Sequence, residues 1–128
     1  MRIRGSCVLI VLCCCLRPLS SASVGDGETL SKICRNVDKV ESTNDVDKLV
    51  DTLQCQAYIE GVLTGYSMVS NALNLKESGI ESVCVPNEAK LRQIYLVVQK
   101  YLKDHPEKHH RGAGELTMTA LKEAFPCK

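Results

Sequence analysis

The sequence predicts an all-α fold, a small four- to five-helix domain stapled by two disulfides. Three observations point there. Apolar residues recur at helical spacing in several stretches, no period-two alternation lasts long enough for a sheet, and four cysteines lie downstream of an export signal. The 128 residues fit one domain. Residues 1–22 read as a cleavable signal peptide: Arg2 and Arg4 make a basic start, Val8 to Leu16 an apolar run, and Pro18 breaks it. Ser20-Ser21-Ala22 then supplies small residues before a cut at Ala22-Ser23. The apolar run is about half the ~20 residues that span a bilayer, so no membrane insertion is expected once it is removed. Residues 23–128 form the domain.

Cleavage removes Cys7, Cys13, Cys14 and Cys15 and leaves Cys34, Cys55, Cys84 and Cys127. It also removes Arg2, Arg4 and Arg17 from the 16 basic side chains, so 13 bases stand against 15 acids and the net charge is −2. That balance argues against a nucleic-acid partner, which wants a basic face. In an exported chain of this size the four cysteines are read as structural bridges. No CxxC pair occurs, which disfavours zinc ribbons and thioredoxin-like redox chemistry.

Along the domain, Leu30, Ile33, Cys34 and Val37 predict a first helix from about Thr29 to Val37. Asn44 is placed to cap the next, whose stripe begins with Val46, Leu49, Val50 and Leu53 and continues through Ile59, Val62, Leu63 and Tyr66 to Leu73. This segment is one long helix or two joined near Leu53-Gln54. Helical patterning fails from Asn74 to Asn87, and Pro86 suits the start of the following helix. There Leu91, Ile94, Tyr95, Val98, Tyr101 and Leu102 share a face. A polar loop from Asp104 to Gly112 precedes a last helix carrying Leu116, Ala120, Leu121 and Ala124, which Phe125-Pro126-Cys127 stops. Four cysteines allow three pairings. Antiparallel packing of successive helices favours Cys34 with Cys55 and Cys84 with Cys127.

Gly61 and Gly65 lie four apart on one helical face, each costing about 1 kcal/mol against alanine. Close approach of a neighbouring helix within the chain is the expected compensation, ahead of a dimer contact. His105, His109 and His110 cluster in the second polar loop, but their spacing matches no zinc motif and no metal site is expected. With the cysteines paired and no GxSxG or HExxH motif present, neither enzymatic activity nor a cofactor is expected.

The C-terminal half carries a resemblance. Cys84-Val85-Pro86, Tyr101-Leu102-Lys103-Asp104-His105-Pro106-Glu107 and Ala120-Leu121-Lys122-Glu123-Ala124-Phe125-Pro126-Cys127 occur in that order, with Cys55 and Tyr58-Ile59-Glu60-Gly61-Val62 upstream. Together, over about Cys55 to Lys128, they resemble the Rap/Tai-type immunity proteins of type VI secretion systems. The resemblance implies a periplasmic helical protein, often a homodimer, that blocks a cell-wall amidase toxin. Toxins of that class are cysteine–histidine peptidases that cut peptidoglycan, and the inhibitor occludes the cleft with a protruding loop. Here the loop from Asn74 to Val83 is the expected contact, with Ile80 as its apolar tip and Glu77 and Glu81 as acceptors for donors in the toxin. A small periplasmic chaperone and an envelope-associated structural module are the competing readings of an exported helical chain.

Overall fold

A computed structural model describes residues 23–39, 44–79 and 83–127. Residues 1–22, where the signal peptide is expected, lie outside them. Among the described residues four α-helices follow in order: α1 Gly27–Cys34, α2 Val46–Ala72, α3 Leu91–Asp104 and α4 Ala113–Ala124, with a 3₁₀ turn at Pro106–Lys108. Among the described residues the β-structure is a single isolated bridge between Asp26 and Gly112. The core forms where the four helices meet, around the fully buried Leu30, Ile59, Leu102, Leu116 and Leu121.

Helix α1 starts two residues earlier than its apolar spacing predicts because Asp26 caps it, accepting from the Thr29 N–H at 2.8 Å. That bond holds the Asp26 carboxyl below the usual aspartate range. Gly27 sits against the loop that precedes α4. Its N–H donates to the Arg111 carbonyl at 2.9 Å, and the Ala113 N–H donates to Gly25 at 3.2 Å. The start of the domain is thereby sewn to its last third.

Helix α2 is one continuous helix of 27 residues, which resolves the alternative of two. Asp45, rather than Asn44, caps it, accepting from the N–H groups of Asp47 and Lys48. The core-facing side runs through Thr52, Cys55, Ile59 and Ser70, with Leu63 and Tyr66 partly buried between. Thr52 is tolerated there because its hydroxyl donates to the Lys48 carbonyl at 2.8 Å. The stripe that opens the predicted helix is therefore not core: Val46, Leu49, Val50 and Leu53 are 70%, 40%, 45% and 54% exposed. At the far end Leu73 is exposed as well.

Pro86 does not begin α3. Its carbonyl accepts from Ala89 at 3.0 Å, closing a turn over Asn87 and Glu88, and Lys90 is extended before the helix opens at Leu91. The predicted face of α3 is buried except for Leu91 at its first position. In α4, Leu116, Ala120 and Leu121 are buried, whereas Ala124 is exposed. Both expected disulfides are present. Cys34–Cys55 ties α1 to α2 and is buried, while Cys84–Cys127 ties the approach to α3 to the end of the chain and leaves Cys84 exposed. Beside the second bridge, Cys84 N–H donates to the Phe125 carbonyl at 2.8 Å.

Buried Tyr95 links α3 to α2 through a hydrogen bond to Glu60. Burial first, and the Glu60 carboxylate second, push its phenol up to about 12. The neutral phenol is thus favoured by the fold. Its contribution is complete below the unfolded value of about 10 and is lost as pH rises from there toward 12. Alkaline denaturation midpoints are expected to show this slope in the parent and a shallower one in Tyr95→Phe, and equal slopes in both would contradict it.

Candidate functional site

The C-terminal half of α2, the turn that follows it and the chain that returns at Val83 enclose a groove of about 620 Å³. Thr64, Ser67, Met68 and Asn71 edge it from the helix, and Val83, Cys84 and Val85 close the other wall. Its boundary is held by short-range hydrogen bonds. Leu75 N–H donates back to Ser70 at 3.0 Å as Asn74 takes a left-handed conformation, φ +49°, that ends the helix. Ser78 then bonds the Asn74 carbonyl through both its N–H, at 3.1 Å, and its hydroxyl, at 3.0 Å. Gly79, at φ +67°, continues the turn in a conformation that a side chain would strain. On the returning chain, Val83 N–H donates to the Tyr66 hydroxyl at 3.3 Å.

Glu77 stands exposed in this turn, as a contact residue must. Ile80 and Glu81, its expected companions, lie outside the described residues. Lys76, which the loop reading did not single out, lines the groove. Met68, 67% exposed, lines it too and has no place in the loop-centred expectation. Met68 lies eighteen residues after Val50 and so on the same side of α2 as the exposed stripe that opens the helix.

The two glycines of α2 correct another expectation. Among the described residues no neighbour comes within 4 Å of the place where a Cβ on Gly61 or Gly65 would stand. Close packing inside the chain is therefore not what compensates them. The histidine loop is occupied with its own structure. His105 packs on the Tyr101 ring at 4.5 Å between centroids and meets Glu107, while His109 bonds the Leu102 carbonyl at 2.9 Å. Among the described residues no group of three His, Cys, Asp or Glu side chains is placed to hold a metal ion.

A family model described as Rap1a immunity proteins matches residues 26–127. The chain belongs to the Rap1a immunity family. That match begins at the Asp26 cap and ends at Cys127, so it spans all four helices and both disulfides. No curated relative and no solved structure matches the chain. No described helix of this Rap1a-family protein is long and apolar enough to cross a membrane.

Proposed function

We propose that the protein is a non-catalytic immunity protein of the periplasm, exported through a signal peptide over residues 1–22. In this reading it works as a pair of identical chains and blocks a peptidoglycan amidase delivered by type VI secretion. The family match over residues 26–127 carries the immunity reading. For the mode of action, the support is the turn after α2, anchored on Ser70 at one end and on Tyr66 and the Cys84–Cys127 bridge at the other. A segment fixed at both ends loses less conformational freedom on binding than a free one, which suits it to act as a wedge. Glu77 offers a carboxylate on that wedge, and Ile80 and Glu81 are taken to complete it. A cysteine–histidine cleft presents N–H donors that such carboxylates can accept from.

The test combines Glu77→Ala, Ile80→Ala and Glu81→Ala in one chain and measures binding to the cognate amidase and protection of cells that express it. Loss of one well-placed charged contact costs roughly 2–5 kcal/mol at a buried interface, so affinity is expected to fall by at least about thirtyfold. A triple variant that folds, binds and protects as the parent does removes the turn from the interface. Failure of the parent to bind any secreted amidase removes the immunity mechanism itself.

A further inference from the structure

We infer that the outward face of α2 is a self-association surface, on which the ridge Val46–Leu49–Val50–Leu53 of one copy seats in the groove of a second copy lying antiparallel. This rests on the reading of the protein as paired chains and assigns the surface that pairs them. Large apolar side chains exposed together on one helix mark an interaction surface rather than ordinary surface variation. Among the described residues, nothing covers the ridge.

The identity of the occupant follows from the helix itself. Eighteen residues make five turns, so positions eighteen apart point the same way and stand about 27 Å apart along the axis. Val46, Leu49, Val50 and Leu53 have as their equivalents Thr64, Ser67, Met68 and Asn71, the exposed four of the seven α2 residues that line the groove; Leu63, Tyr66 and Ser70 line it from the core side. Ridge and groove therefore share one face of one helix. A two-fold axis midway between them, close to Ala57 and Gly61, lays each ridge on the other copy's groove. Such mutual contact is what a closed dimer interface requires. A foreign partner would need only one of the two features, and no matching direction between them.

The middle of the face fits this arrangement. Ala57 and Gly61 are small and exposed, and the open space around Gly61 allows two helix backbones to approach near the axis. Glu60, close to the same point, has its carboxylate drawn onto the Tyr95 hydroxyl. From Gly61 to Leu75 there is no charged side chain, so antiparallel pairing sets Asp47 and Asp51 against a neutral stretch and brings the acidic first turn toward Lys76. Parallel pairing would instead set Asp47 against Asp47 and each ridge against itself.

The experiment measures the mass of the oxidised protein by light scattering over a concentration series. It compares the parent with Leu49→Glu on the ridge, Met68→Lys in the groove, and the two combined. Both positions are exposed, so the fold is expected to survive, and circular dichroism verifies it. The parent is expected to be a dimer. Each single variant is expected to dissociate about a hundredfold more readily, because an unpaired charge is placed in an apolar contact. The combined variant is expected to recover about tenfold, as each glutamate then meets a lysine across the interface. A monomeric parent overturns the paired-chain reading together with this surface. A dimeric parent whose single variants stay equally dimeric, or whose combined variant recovers nothing, overturns the surface alone.

Discussion

Replacing Cys34 and Cys55 together by alanine is expected to destabilise the molecule severely. The bridge closes a loop of 21 residues, and releasing that constraint gives the unfolded chain about 3 kcal/mol of additional entropy. Packing adds to this, since Cys34 is 1% and Cys55 0% exposed and the truncated side chains leave space against Leu30 and Ile59. A domain of this size has roughly 5–15 kcal/mol in total, so a shift of the urea midpoint is expected to be large and easily read. The companion change, Cys84→Ala with Cys127→Ala, frees a loop of 43 residues but disturbs no buried sulfur at Cys84. Burial also separates the bridges kinetically. Mild reductant is expected to open Cys84–Cys127 while the helices persist, and to reach Cys34–Cys55 only when the core opens. Equal reduction rates for the two bridges, followed by mass mapping of alkylated thiols, would contradict that ordering.

Gly27→Ala is expected to be nearly as damaging, for a reason of space rather than torsion. A Cβ at Gly27 would stand 2.9 Å from both the Cα and the carbonyl oxygen of His109 and would collide with the Leu116 side chain. Leu116 can shift, but the His109 backbone is held by the Glu28 N–H on its carbonyl at 3.1 Å and by the bridge at Asp26 and Gly112. Overpacking of this kind costs typically ~1–3 kcal/mol, and a backbone obstacle puts this case at the upper end. The same substitution at Gly65 meets none of the described residues within 4 Å and is expected to stabilise the helix by up to about 1 kcal/mol. Thermal melts of the two variants should therefore move in opposite directions, and movement in the same direction would refute the steric argument.

Much of the fold was legible because its helices obey local rules. The face of α3 from Ile94 to Leu102 and both cysteine pairings follow from apolar spacing and from the order of the elements. Helix α2 was legible in extent but not in orientation. Its core side uses Thr52, Cys55, Ile59 and Ser70, whereas its solvent side opens with Val46, Leu49, Val50 and Leu53. Periodicity reports that a face is apolar, and it cannot say which of two apolar faces meets the core. The glycines misled for a related reason: their cost suggests a close approach, yet among the described residues none comes within 4 Å of either one. Pro86 satisfied the usual preference for a helix start, yet the turn at Asn87 and Glu88 intervened before Leu91.

The disulfide connectivity has a consequence for biogenesis. Each cysteine of the domain is joined to the next one along the chain, first Cys34 to Cys55 and then Cys84 to Cys127, so the two covalent loops neither nest nor overlap. If the chain is exported as proposed, N-terminus first into an oxidising space, Cys34 and Cys55 are both available before Cys84 arrives. An oxidase that joins thiols in order of emergence makes the native pairs directly, with no wrong bridge to be broken and no need for attack by a resolving thiolate. Chains whose bridges interlock depend on isomerisation to escape early errors. This one can mature under oxidation alone, which suits a protector that must be competent soon after it is made.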